Sequence, residues 1–136
     1  MEDKYFCIKW KDETIGVLAR IDEIYYAWFQ TRYLKDKEAG EIHIKQLSFE
    51  PDVLYTNPTL FEVFEKRIKV EEGEDPCYRL ERSKASRPTD NFYVDVMNER
   101  EAEYFKKIIE EINKNKQEGV NNAHSRNWSR VCNNWI

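Results

Sequence analysis

Residues 8 to 29 constrain the fold more than any other part of the chain. Ile8 and Trp10 lead into a polar break, Lys11-Asp12-Glu13-Thr14. Ile15-Gly16-Val17-Leu18 follows, and after a second break at 20 to 23 comes the aromatic run Tyr25-Tyr26-Ala27-Trp28-Phe29. Period-two alternation rich in aromatic and β-branched residues marks half-buried antiparallel strands. The short polar breaks fit hairpin connections. This run speaks for fold, and no residue in it offers chemistry.

Further elements follow from local patterning. Thr31 to Ala39 reads as a single helical turn or a structured loop, closed by Gly40. Residues 41 to 49 set Ile42, Ile44, Gln46 and Ser48 against His43, Lys45, Leu47 and Phe49. That alternation predicts another strand, with a bulge near Leu47. Asn57-Pro58 has the form of an N-cap followed by proline at the first helical position. It predicts a helix over 58 to 68, with Leu60, Phe61, Phe64 and Ile68 inward and Glu62–Lys66 and Glu65–Lys69 pairs outward.

Residues 71 to 91 are less regular. Glu71-Glu72-Gly73-Glu74-Asp75-Pro76 precedes a basic stretch, Arg79, Arg82, Lys84 and Arg87, with Leu80 in a short helical turn between them. Alternation returns from Asp90 to Met97 through Phe92, Val94 and Val96, a last strand. Asn98 and Glu101 form a capping box, opening a helix whose stripe is Ala102, Phe105, Ile108, Ile109 and Ile112. The pattern predicts an α+β domain over residues 1 to 116. Its core is an antiparallel sheet, open or closed into a barrel-like form, with two main helices packed on it. Residues 117 to 136 form a polar, Asn- and Trp-containing tail.

Composition agrees with one domain of ordinary size. Of 136 residues, 40% are apolar and 14% aromatic, enough for a real core, while 35% are charged. No apolar stretch reaches the length of a membrane span, and Met1-Glu2-Asp3-Lys4 lacks the features of a secretory signal. A soluble, cytoplasmic protein is expected. Cys7, Cys77 and Cys132 are scattered and odd in number, which predicts free thiols in a reducing compartment. His43 and His124 are not at zinc-ligand spacing, so neither a metal nor any other cofactor is expected.

The net charge of −4 is unevenly spread. Four cations against Glu118 make residues 112 to 136 +3, leaving −7 for residues 1 to 111. An acidic body argues against non-specific phosphate binding, which needs clustered Lys and Arg. In the tail, Trp128, Val131 and Trp135 recur at helical spacing among asparagines. So short a segment is marginal alone. It folds back on the domain, serves a partner through Trp128 and Trp135, or is incidental.

Catalysis finds little support. Two histidines, four glycines and no Gly-x-Ser-x-Gly leave no nucleophile–base assembly, and no phosphate-loop pattern occurs. Paired carboxylates such as Glu71-Glu72 and Asp12-Glu13 read as solvated surface. A better candidate site is the turn from Ser83 to Asp90. There Ser86, Thr89 and Asp90 could bind backbone amides or a ligand, and Arg79, Arg82, Lys84 and Arg87 could meet an anion, with Arg126 and Arg130 adding tail contacts to nucleic acid. The alternative is a plain Asx or Ser/Thr turn leading into a strand.

The order and spacing of these pieces resemble the N-terminal subdomain of HipA-type kinases. The shared pieces are a strand ending at Trp10, the Ile15-Gly16-Val17-Leu18 strand, the aromatic third strand, Tyr33-Leu34, the apolar stretch from Ile42 to Phe49 before Pro51, and a Leu-Phe-x-x-Phe-x-x-Arg segment from Leu60 to Arg67. The Ser83-to-Asp90 turn before Phe92-Tyr93-Val94 is similar to that of small HIRAN-associated relatives. The likeness spans roughly residues 5 to 97, and the second helix and the tail depart from it. The kinase machinery of such proteins lies in later domains, so the resemblance implies a non-catalytic module. Stand-alone relatives of the HipS-like kind act as antitoxins that restrain a kinase-type partner. The contact residues this implies are Trp28, Phe49, Tyr55, Phe61 and Arg67. Two rival expectations remain: a nucleic-acid-binding accessory protein, and a phage or mobile-element inhibitor of a host protein.

Overall fold

The computed structural model describes residues 2 to 32, 34 to 87 and 91 to 117. Expectations that fall on Tyr33, Thr89, Asp90 and residues 118 to 136, including Trp128, Trp135, Arg126 and Arg130, lie outside the described residues. The chain divides into two compact units, Met1–Val96 and Met97–Ile136. Among the described residues there are five strands and four helices, an α+β arrangement.

Three strands follow the opening pattern: β1 (Lys4–Trp10), β2 (Glu13–Ile21) and β3 (Ile24–Phe29). Register pairs Trp10 with Glu13 and Ile21 with Ile24, so the hairpins turn on two residues each, Lys11-Asp12 and Asp22-Glu23. All four turn residues have positive φ, between 51° and 68°. Positive φ at both central positions matches the right-handed strand twist, as in I′ turns. Gly16 is needed where β2 meets β3, because a Cβ there would collide with the Trp28 carbonyl oxygen.

Two further strands complete the sheet, β4 (Leu54–Asn57) and β5 (Phe92–Val96), in the antiparallel order β4-β3-β2-β1-β5. With β4 and β5 at opposite edges, the sheet is open, so the barrel-like alternative is set aside. β4 was not anticipated. Asn57 ends this strand, and its side-chain amide donates to Thr59 O at 2.7 Å instead of capping a helix.

The segment expected to be a strand at 41 to 49 is a helix, α1 (Lys37–Gln46), N-capped by Asp36, whose carboxylate accepts from Ala39 N at 3.0 Å. The apparent alternation came from Ile42, which is 53% exposed, whereas Ile44 is fully buried. A Schellman motif ends α1. Phe49 N donates to Ile44 O at 3.2 Å, Ser48 N donates to Lys45 O at 2.9 Å, and Ser48 itself is left-handed at φ 73°. This motif turns Phe49 inward, against Phe29, Tyr55 and Phe61 at centroid distances of 4.8, 4.9 and 5.8 Å.

The helix expected over 58 to 68 is one turn, α2 (Glu62–Glu65). Of its expected inward residues, Leu60, Phe61 and Phe64 are buried, and Ile68 is partly buried against the core. The turn around Leu80 is a longer helix than expected, α3 (Pro76–Ser83), with Asp75 as N-cap and proline at its start. One face of the sheet, with Phe6, Ile8, Leu18, Ala27 and Phe29, shares a core with Ile44, Phe64 and Leu80. In the second unit, α4 (Glu99–Gln117) opens with the expected box: Asn98 Oδ1 accepts from Glu101 N at 2.9 Å, and the Asn98 amide meets the Glu101 carboxylate. No helix among the described residues is long and apolar enough to cross a membrane.

Candidate binding cleft

The end of α1, the single turn of α2 and the loop after α3 enclose a cleft of about 420 Å³. Its apolar lining is Leu47, Phe49, Phe61 and Val63, and its charged lining is Lys66, Arg67 and Arg87 against Glu62. Three cations facing one carboxylate give a locally positive surface on a chain of net charge −4.

Each wall has a structural reason to be where it is. The Schellman turn supplies Leu47 and Phe49. Arg67 is fixed from several sides: Nε donates to Ala85 O at 2.6 Å, Nη2 donates to Phe92 O at 2.9 Å, and the guanidinium lies 4.9 Å from the Phe92 ring centroid. Such ties make Arg67 a bracket between α2, the loop after α3 and β5, with cation–π stacking as part of the hold. Arg87 Nη2 donates to Lys66 O at 3.1 Å, drawing the loop against α2. Lys66 pairs with Glu62 at 3.1 Å, one helical turn back. The loop reaches this position through two consecutive left-handed residues, Lys84 (φ 58°) and the buried Ala85 (φ 51°).

The cleft brings together Phe49, Phe61 and Arg67, expected as partner contacts, with Arg87, expected as an anion contact. Phe49 and Phe61 are each 9% exposed, so they form the floor and not a projecting surface. Tyr55 stands behind Phe49, and its hydroxyl accepts from Glu50 N at 2.8 Å. Trp28 is elsewhere. It faces the opposite side of the sheet from Phe29, opposite Val17 in register, and is 1% exposed. The expectation that it meets a partner is corrected on this point, because a side chain so covered has no surface to offer.

The basic stretch is largely matched within the fold. Arg79 pairs with Glu74 at 2.5 Å, Arg82 Nη1 donates to Tyr78 OH at 2.9 Å, and Lys84 lies 3.4 Å from Asp95. The Glu74 carboxyl is held below its ordinary value, first by its bond from Arg79. Ser83 and Ser86 take part in the end of α3: Ser83 Oγ donates to Arg79 O at 2.8 Å and accepts from Ala85 N at 3.2 Å, and Ser86 Oγ lies 3.4 Å from Ser83 O. These bonds make the described part of that turn a helix end, with Arg87 alone of its basic residues in the cleft lining.

One buried charge went unread in the sequence. Arg20, 1% exposed in β2, grips Asp75 with both terminal nitrogens, Nη2 to Oδ2 at 2.9 Å, and Nη2 also donates to Glu2 O at 2.6 Å. Asp75 also accepts from Cys77 N at 3.0 Å, so one carboxylate caps α3 and neutralises the sheet's cation. Lys4 adds a tie to Glu81 at 2.7 Å. The bond from Arg20 holds the Asp75 carboxyl below its ordinary value, and burial pushes the Cys77 thiol up to about 11. The signal was a lone Arg in the apolar run Ile15-Gly16-Val17-Leu18-Ala19-Arg20-Ile21 and the dipeptide Asp75-Pro76. A charge in a buried strand requires a partner.

Among the described residues, no group of three or more His, Cys, Asp or Glu could hold a metal ion. Compared with protein-family models, curated proteins and solved structures, the chain matches none.

Proposed function

We propose that this chain is a non-catalytic protein-interaction module that presents the α1–α2 cleft to another protein. The carrying observation is the cleft itself: an apolar floor beside cations fixed by backbone bonds. It combines apolar side chains with charged ones, the mixture found in protein recognition sites. The resemblance to HipA N-terminal subdomains gives the specific form of this reading, an antitoxin-like regulator of a kinase-type toxin. Phe61 and Arg67 of the Leu60-to-Arg67 segment that carries part of that resemblance both line the cleft.

The nucleic-acid alternative is weaker because residues 1 to 111 carry a charge of −7 and, of the basic stretch, Arg79 and Lys84 lie against Glu74 and Asp95. Phosphate binding through counterion release needs clustered cations. The test is co-expression of the full chain with a HipA-type kinase from the same genome. Co-elution that persists at about 0.5 M salt, where exposed charge pairs are screened, together with reduced kinase turnover, is expected. Failure to co-elute, with duplex binding that falls steeply as salt rises, would transfer the assignment to nucleic acid.

A further inference from the structure

We infer that the occupant of the cleft is an acidic linear segment of the partner, with one apolar side chain seated on Phe49, Phe61 and Val63 and a neighbouring carboxylate at Lys66 and Arg87. The inference rests on the interaction-module reading and names the chemistry that such a partner must carry. Charge complementarity selects it: the cleft has three cations against Glu62, whereas the chain as a whole is acidic. A basic segment would meet that positive lining at close range, and like charges brought together oppose binding.

The lining also places the occupant's carboxylate. Lys66 and Arg87 are the exposed cations of the cleft, so an acid is accepted there, and the partner's apolar group lies on the floor made by Phe49, Phe61 and Val63. The volume of about 420 Å³ suits one or two side chains, not a whole helix face.

Lys66 and Arg87 are both exposed, so their exchange leaves the core intact. The measurement uses the full chain and labelled heptapeptides carrying one central Phe flanked by Glu, by Gln or by Lys, titrated by fluorescence anisotropy. Binding of the Glu series is expected to be about tenfold tighter than that of the Lys series. The Lys66→Glu, Arg87→Glu double variant should reverse the order, and Lys66→Gln, Arg87→Gln should level it, with thermal melting showing that each variant is folded. Equal binding of the three series, binding of none of them, or an order unchanged in the double variant overturns the inference. The kinase co-elution is read separately. If it survives while the peptide preference fails, the module reading stands and the acidic-segment chemistry falls. If it is lost while the preference holds, the partner assignment falls instead.

Discussion

Arg20 and Asp75 are not symmetric partners. Arg20 is almost wholly covered, while the Asp75 side chain is 32% exposed and also caps α3. Removing the acid strands a buried guanidinium, and removing the base leaves a carboxylate that water and a helix N-terminus still satisfy. Asp75→Ala is therefore expected to destabilise by about 3–5 kcal/mol, the usual penalty for breaking a buried pair. Arg20→Met should lose no more than about 1–2 kcal/mol. Urea unfolding of the two variants measures the difference, and equal losses would contradict the asymmetry. Hydropathy patterning does not reveal such a pair, because its members are 55 residues apart. Arg20 was visible as an anomaly, but its partner was not.

At the scale of elements, legibility followed how much of each pattern came from buried residues. β1 to β3 were readable because aromatic and β-branched runs bounded by short polar breaks mark strands and hairpins, although β2 and β3 are buried on both faces and not half-buried. β5 was readable because its alternation is real, and the Asn98 box because capping is local. α1 was misread because exposed Ile42 mimicked a strand period. The helix expected at 58 to 68 was overextended because Asn57-Pro58 imitates a helix start while Asn57 closes β4. The cleft was half legible: Phe49, Phe61, Arg67 and Arg87 stand out in the sequence, but Leu47 and Val63 enter it through the Schellman turn and the shortened α2. Two changes test the local devices. Glu23→Gly, at a turn position with φ 68°, should stabilise by about 0.5–1 kcal/mol, since glycine removes the left-handed penalty and gives back part of it as unfolded-state entropy. Asn98→Ala should destabilise by about 1 kcal/mol through loss of the cap. Denaturant midpoints report both.

For the whole molecule, the buried cluster around Arg20 sets how stability responds to pH. The Asp75 carboxyl lies below its ordinary value, chiefly because Arg20 donates to it. Its contribution is therefore present above the ordinary carboxylate value of about 4 and is lost as pH falls through the lower folded value. At the alkaline end, burial raises the Cys77 thiol to about 11 and moves the Tyr25 hydroxyl upward as well. A raised value favours the neutral form in the folded state, so stability declines as pH climbs from the ordinary thiol value toward 11. Cys77→Ala is expected to flatten that alkaline decline without changing the acid limb, and Asp75→Asn to flatten the acid limb. Urea midpoints across pH check each. Lys84 and Ala85, held left-handed beneath the Arg67 bracket, carry a consequence for the energetics of capture. The loop that delivers Arg87 surrendered its conformational freedom during folding, so an arriving segment meets a wall already set, and calorimetry should register only a small ordering penalty on the protein's side. Glycine at position 84 accepts φ 58° without the left-handed penalty, so it should leave the wall in place and the entropy of association unchanged.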